Sequence, residues 1–170
     1  ILSNDSQARE RLLKDYRQRG PRGLDELVAA REALASQQSN QKTTPDQWLA
    51  FQADIAKINA AIDEVGGAKY CSASSLYWYT DLAIAQAEAT RTNKPILPLR
   101  MLGNLTEEFS CANSRFFRTT LYANKEISST LRDKFVLHWA SVRPVPKVTI
   151  DFGDGRKLER TLTGNSAHYL

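Results

Sequence analysis

Cysteine and histidine are scarce in this sequence, which has two of each among 170 residues. Two cysteines exclude the disulfide-dense scaffolds of small secreted proteins, and from two cysteines with two histidines we do not expect a dedicated structural zinc site. The sequence also lacks a P-loop and a G-x-G-x-x-G motif, the usual marks of nucleotide binding. We therefore predict neither a metal nor an organic cofactor.

Long apolar runs are absent as well, and the mean hydropathy is −0.45. No stretch approaches the roughly 20 apolar residues that a membrane-spanning helix needs, so no membrane span is predicted. With 42% hydrophobic and 25% charged residues, the composition is that of a folded domain. The net charge of +4 falls on residues 71–170, but the cations there are scattered singly. Because they form no basic stripe, we do not expect nucleic acid as a partner.

Residues 1–70 have the pattern of a helical arm or hairpin. Residues 5–19 and 24–37 show helical spacing of their apolar positions, and Gly20-Pro21 is a typical break between two helices. A third helix is predicted to begin after Thr44, whose hydroxyl would cap it, and to end at Gly66-Gly67. This part of the chain is therefore expected to form a unit of helices without strands.

One apolar stripe runs along the third predicted helix, with apolar residues recurring every three or four positions. A stripe of this length has to pack against another surface, so we predict that it is an interface. Its partner is the preceding helix in an antiparallel hairpin, the second half of the chain, or another subunit. The stripe consists of Trp48, Phe51, Ile55, Ile58 and Ile62.

Residues 71–170 alternate between helical and strand patterns, which predicts an α/β domain. Alternating apolar residues on both sides of Asp154-Gly155 predict a β-hairpin, and helices between the other strands favour a parallel central pair. Thr80 is the predicted cap of the first helix in this part. The predicted helices are 80–92, 111–122 and 124–133, and the predicted strands are 95–101, 135–142, 148–152 and 157–162.

The order of these elements resembles the thioredoxin-like superfamily. The matching features are Trp78, the alanine-rich helix 81–92, Lys94-Pro95-Ile96-Leu97, and Cys111-Ala-Asn-Ser114 at the start of a helix. In that family they form the first βαβ unit, with the redox motif at a helix N-terminus. The resemblance covers residues 76–170. It implies a thioredoxin-like sheet with flanking helices behind the N-terminal helical hairpin.

Departures from the family pattern bear on activity and on completeness. The dithiol of the family is C-x-x-C, and here Ser114 occupies the second position. The family also has a cis-proline before a later strand, whereas residues 164–169 contain no proline. A thioredoxin-like domain continues with a terminal hairpin and helix beyond this strand. We therefore expect that residues 71–170 form an incomplete domain, which further chain or a second polypeptide completes.

Cys111 and Ser114 are the candidate catalytic residues. A helix N-terminus favours a thiolate, and the Ser114 hydroxyl is placed to hydrogen-bond the sulfur. Because the motif lacks a second thiol, a mixed disulfide at Cys111 cannot be resolved by a neighbour, which suits monothiol exchange. Two alternatives stay open: Cys71 and Cys111 form a disulfide, or both are inert thiols. A disulfide requires an oxidising compartment, which favours a secreted or periplasmic location over the cytoplasm.

Residues 164–169 correspond to the loop with which the family contacts substrate. By that resemblance Ser166 and His168 are candidate substrate contacts, although a surface histidine is the simpler interpretation of His168.

Two functions follow from these observations. In the first, the chain is a thioredoxin-fold binding or structural module of a larger assembly, without dithiol redox activity and without an enzymatic role. Its partner is then another protein or a second copy of the chain. In the alternative, the protein is a monothiol oxidoreductase that exchanges thiols and disulfides through Cys111.

Overall fold

A computed structural model describes residues 1–2, 5–39 and 44–169 of the chain. Within these ranges the protein is a mixed α/β structure with helices, a main sheet of four strands and a separate two-stranded hairpin. The predicted α/β class is therefore confirmed. None of the helices in the described ranges is both long enough and apolar enough to cross a membrane. Leu170, the last residue of the expected incomplete domain, lies outside the described residues.

The N-terminal part consists of three helices: α1 (Ser6–Gln18), α2 (Pro21–Ser39) and α3 (Pro45–Gly66). The break between α1 and α2 occurs where it was predicted, and Gly20 adopts the left-handed conformation there with φ 65°. At the start of α3, Thr44 and Gln47 form a capping box, since each side chain hydrogen-bonds the backbone N–H of the other residue.

Gly67 ends α3 in the left-handed conformation, with φ 75°. A Cβ atom at this position would lie 2.6 Å from the carbonyl oxygen of Trp78 and 2.9 Å from the guanidinium of Arg17. Glycine is required here both for the backbone conformation and for the close approach of the neighbouring chain.

The main sheet is formed by β1 (Trp78–Tyr79), β2 (Ile96–Leu102), β3 (Val136–Arg143) and β6 (Ser166–His168). The strand order is β1-β3-β2-β6, with β1, β3 and β2 parallel and β6 antiparallel to β2. The predicted parallel central pair is therefore confirmed as β2 and β3.

Further helices precede and connect these strands. They are α4 (Cys71–Ser74), α5 (Leu82–Thr92), α6 (Ala112–Phe116), which continues into a π-helical turn (Phe117–Leu121), and α7 (Lys125–Lys134). The predicted cap of α5 was wrong by one residue. Asp81, and not Thr80, is the N-cap, because its carboxylate accepts a hydrogen bond from the backbone N–H of Ile84 at 3.1 Å.

The predicted β-hairpin is present as β4 (Lys147–Asp151) and β5 (Lys157–Thr161). Its two strands pair with each other and not with the main sheet. Gly153 and Gly155 in the connecting turn have positive φ angles, as an Asp-Gly turn requires.

One hydrophobic core joins the two parts of the chain. It contains Leu24 and Leu27 of α2, Ile62 of α3, Leu99 of β2 and Trp139 of β3. The indole Nε1 of Trp139 donates a hydrogen bond to the carbonyl oxygen of Gly67 at 2.8 Å. The change from helical to α/β pattern near residue 70 is thus a change of secondary structure within a continuous core.

The predicted apolar stripe divides between two environments along α3. Ile58 and Ile62 are buried in the core of this chain, which makes them unavailable to another subunit. At the other end of the stripe, Trp48 is 50% exposed and its ring lies 5.5 Å from that of Phe51. Phe51 and Ile55 are partly exposed.

Candidate functional site

Cys111 occupies the N-cap position of α6, after the loop that follows β2. The thiol is fully buried. Its sulfur lies 3.3 Å from the hydroxyl oxygen of Ser114 and 3.4 Å from the carbonyl oxygen of Asn165, which precedes β6. The predicted pair of Cys111 and Ser114 is therefore in contact, and the segment after β5 forms the other wall of the thiol site.

A chain of hydrogen bonds continues from this thiol into the protein. The Ser114 hydroxyl is 2.8 Å from the Ser110 hydroxyl, which accepts a hydrogen bond from Arg118 Nη2 at 2.8 Å. Arg118 is almost completely buried, and its Nη1 donates to the carbonyl oxygens of Leu105 and Glu107. Burial lowers the pKa of this guanidinium, although the charge is still held by these acceptors.

The pKa of Cys111 is lowered from its ordinary value. Burial of the sulfur is the largest single influence and would raise the pKa, because it disfavours the thiolate. Hydrogen bonds with the side chain and backbone of Ser114, with the backbone of Asn165 and with the Ser166 side chain outweigh it. The Cys111 thiolate is therefore easier to form than that of a free cysteine, even though the sulfur is buried.

Cys71 lies at the start of α4 and is also a free, buried thiol. The two cysteines are not bonded in this structure, so the disulfide interpretation is not supported. Cys71 instead packs against the end of α3, so close that a Cβ on Gly66 would be 2.6 Å from the Cys71 sulfur. Burial raises the pKa of Cys71, which makes it an unreactive core residue.

Ser166 and His168 lie in strand β6 and not in a loop. His168 is also not the surface residue of the simpler interpretation: it is partly buried, and its Nε2 is 2.6 Å from the Tyr122 hydroxyl. The imidazole stacks near Phe117 and Trp78, and burial lowers its pKa. His168 therefore belongs to an aromatic cluster that packs β6 onto the π-helical turn.

Sequence reasoning missed that Ser110 and Arg118 form part of this site. A signal was available for Arg118, because Ser114 and Arg118 lie four residues apart in the predicted helix 111–122, which places their side chains on one face. Ser110 had none, since it precedes Cys111, the N-cap of α6. The contact of Asn165 with Cys111 had no such signal, because it joins residues 54 positions apart.

The described ranges contain no cluster of potential metal ligands. No group of three or more histidine, cysteine, aspartate or glutamate side chains is close enough there to hold an ion.

One face of the main sheet lies on the hydrophobic core, and the other face is only partly covered. Helix α5 covers the open face near β1 through Ala85, which packs with Tyr79 and Val136. Beyond α5 lies a shallow depression of about 530 Å³. We call this surface the open sheet face; its lining residues are Leu82, Ile96, Pro98, Arg100, His138 and Tyr169.

His138 is the unusual residue on the open sheet face. Only 4% of this residue is exposed, yet Nδ1 has no hydrogen-bond partner among the described residues. Burial lowers the pKa of this histidine, and the nearby Arg100 adds to the effect. The imidazole is therefore neutral near pH 7 and retains an unused polar atom.

Comparisons with known proteins assign the chain to no family. A scan against protein-family models finds no match, and searches of curated proteins and of solved structures find none.

Proposed function

We propose that this protein is a thioredoxin-like binding module that holds a polypeptide partner within a larger assembly and has no dithiol redox activity. The observation that carries this proposal is the open sheet face. Leu82 and Tyr169 are 44% and 54% exposed there, and His138 keeps an unpaired Nδ1. Apolar surface next to an unpaired buried polar atom is typical of a site that another molecule covers.

The arrangement around Cys111 supports the thioredoxin-like part of the proposal. Strand β1, helix α5 and strand β2 run in the order that the resemblance implies, and Cys111 caps the next helix. The carbonyl of Asn165, in the segment that corresponds to the proline loop of the family, touches the sulfur.

The same arrangement argues against dithiol chemistry. A dithiol oxidoreductase needs a second thiol that attacks the mixed disulfide, and Ser114 provides only a hydroxyl. Cys71 cannot replace it, because it is packed against the end of α3 with a raised pKa.

Site-specific photocrosslinking tests the partner proposal. We replace Tyr169 on the open sheet face with p-benzoylphenylalanine in cells that produce the protein, and we do the same at Phe116, an exposed aromatic residue on α6, as a control. The expected result is one defined polypeptide adduct from position 169 and none from position 116. The absence of an adduct at 169, or turnover of insulin disulfides by the purified protein, contradicts the proposal.

A second candidate function, monothiol exchange, is favoured by the lowered pKa of Cys111 and its hydrogen bond to Ser114. In this reaction the Cys111 thiolate attacks one sulfur of glutathione disulfide. A protein–glutathione disulfide forms, and glutathione leaves as a thiolate.

Mass spectrometry of the protein in glutathione disulfide tests the second candidate. If exchange occurs, Cys111 gains one glutathione, Cys71 does not react, and Ser114→Ala moves the pH dependence of the rate to higher pH. An unmodified Cys111 in the folded protein eliminates this function, which is also the result that full burial of the thiol favours.

A further inference from the structure

The β4–β5 hairpin projects from the rest of the molecule as a sheet of its own. Contacts near its base hold it in place: Arg115 Nη2 donates to the Thr161 hydroxyl at 3.1 Å, and the backbone N–H of Ala112 faces the carbonyl of Thr163 at 3.5 Å. A two-stranded hairpin is at best marginally stable in water by itself. The stability of this hairpin therefore depends on what its two faces contact.

The two faces of the hairpin differ completely in chemistry. Residues directly opposite each other share a face, and the register pairs Ile150 with Leu158 and Val148 with Arg160. Because side chains alternate along each strand, all even-numbered residues lie on one face. This apolar hairpin face consists of Val148, Ile150, Phe152, Arg156, Leu158, Arg160 and Leu162, and the opposite face consists of Lys147, Thr149, Asp151, Lys157, Glu159 and Thr161.

The apolar hairpin face is open to solvent. Val148, Ile150, Phe152 and Leu162 are 37%, 45%, 54% and 64% exposed. The contact of Thr161 with Arg115 lies on the opposite face, so the hairpin is tied to the body through its polar side. Amphipathic strands in a monomer normally turn the apolar side inward, and here it points outward.

The only charges on this face are cationic. Arg156 lies 5.3 Å from the centre of the Phe152 ring and pairs with Asp154 in the turn at 2.7 Å. Arg160 forms no ion pair with any carboxylate in the described ranges. The hairpin and its flanks, residues 143–160, carry five cations and three acids, and Asp151 is paired with Lys157.

We propose that the apolar hairpin face is a peripheral membrane-contact surface, which lies flat on a bilayer that contains anionic lipid. Valine, isoleucine, leucine and phenylalanine side chains enter the boundary between head groups and acyl chains, while arginines extend along them to lipid phosphates. The hairpin thus touches the bilayer without spanning it.

Other occupants fit this face less well. A second copy in face-to-face contact would bring the two Arg160 guanidinium groups, neither of which has a carboxylate partner in its own chain, into one desolvated interface. A protein partner would need a carboxylate fixed opposite Arg160. A bilayer needs no such fixed group, because lipid phosphates move laterally and can reach Arg160 wherever the hairpin lies.

Vesicle flotation with the full chain tests the proposal. The probes are phosphatidylcholine vesicles with and without about one third phosphatidylglycerol. We expect binding to the anionic vesicles that weakens as salt is added, and at least several-fold less binding to pure phosphatidylcholine. Phe152→Ser and Arg160→Glu should each reduce binding roughly tenfold or more, because one removes inserted apolar surface and the other reverses a phosphate contact.

Matched variants separate the hairpin from general effects. Thr149→Ser lies on the opposite face, and Lys14→Glu changes the net charge as much as Arg160→Glu but in α1; both should bind nearly as the unsubstituted protein does. Circular dichroism verifies that each variant is folded. Equal binding to both vesicle types, no binding, or equal loss with Lys14→Glu overturns the proposal. A stable dimer that Phe152→Ser dissociates also overturns it, since a second copy then covers the face.

Discussion

Tyr122 and His168 attach strand β6 to the π-helical turn through their side chains, in addition to the backbone pairing of β6 with β2. Their hydrogen bond of 2.6 Å lies within a cluster of rings that includes Phe117 and Trp78. The Tyr122 hydroxyl is the side-chain hydrogen-bond partner of the imidazole, through Nε2. Strand β6 also carries the segment that touches Cys111, which links this cluster to the candidate site.

Removal of the Tyr122 hydroxyl tests this attachment. Tyr122→Phe leaves Nε2 without a partner in a partly buried position, and we expect a loss of about 1–3 kcal/mol in the free energy of unfolding, measured by urea denaturation. Tyr169→Phe removes the same group from an exposed tyrosine and should change stability by less than about 0.5 kcal/mol. Equal effects of the two substitutions would show that the bond to His168 contributes nothing.

At the scale of elements, helix α3 organises the molecule through its second half. At its C-terminal end, the Trp139 indole donates a hydrogen bond to the Gly67 carbonyl oxygen. Arg17 of α1 donates hydrogen bonds to the carbonyl oxygens of Val65 and Trp78, at 2.7 and 2.6 Å. The end of one helix is thus connected to another helix, to β1 and to β3. The first half of α3 has no comparable role among the described residues.

Two glycines with nearly the same backbone conformation isolate the effect of packing at this helix end. Gly67 has φ 75° and Gly153 has φ 76°, but only Gly67 has neighbours within 4 Å of an added Cβ. Gly153→Ala should cost about 1–2 kcal/mol from backbone strain alone. Gly67→Ala should cost roughly 1–3 kcal/mol more, because the methyl group clashes with the Trp78 carbonyl. Thermal or urea unfolding of both variants measures the difference, and equal losses would refute the steric argument.

The two halves of the apolar stripe should differ in the same kind of experiment. Ile62→Ala creates a cavity at a fully buried position and should destabilise the protein by about 2–5 kcal/mol. Trp48→Ala removes a larger side chain, but one that is 50% exposed, and should cost less than about 1 kcal/mol. A large loss for Trp48→Ala would mean that this end of α3 is buried in solution, for example against a second copy.

At the scale of the whole molecule, both histidines are held in environments that disfavour their charged form. Burial lowers the pKa of His138 on the open sheet face and of His168 in the aromatic cluster. Arg100 also lowers the pKa of His138, whereas Asp81 raises it slightly. The unfolded chain therefore binds more protons than the folded protein once the pH falls below the usual histidine value.

Stability should consequently decrease as the pH falls from about 6.5 towards 5. The two histidines keep their full stabilising effect above their unfolded pKa and lose it as the pH falls towards the lower folded pKa. Each contributes a slope of up to about 1.4 kcal/mol per pH unit.

Urea denaturation at several pH values measures this slope. The double variant His138→Gln, His168→Gln should have a nearly flat profile above pH 5, where the carboxylates with lowered pKa values, Glu108 and Asp151, remain ionised. An unchanged slope in the variant would assign the effect to other groups.

The sequence by itself determined the local elements of this protein. The capping box of Thr44 and Gln47, the left-handed stop at Gly67 and the Asp-Gly hairpin turn all depend on residues within a few positions of each other. The spacing of apolar residues and the residue types in a turn are short-range properties, so they can be recognised from the order of residues alone. The contact between Cys111 and Ser114 was predictable for the same reason.

Only the tertiary structure decided which residues and surfaces these elements contact. It separates Cys71 from Cys111, brings Asn165 to the thiol, buries Arg118 beneath Ser110, and turns half of the α3 stripe into the core. It also leaves a sheet face and the apolar side of the hairpin open, although their apolar patterns resemble those of buried strands. Burial depends on the neighbours that folding assembles from distant positions, and no local pattern carries that information.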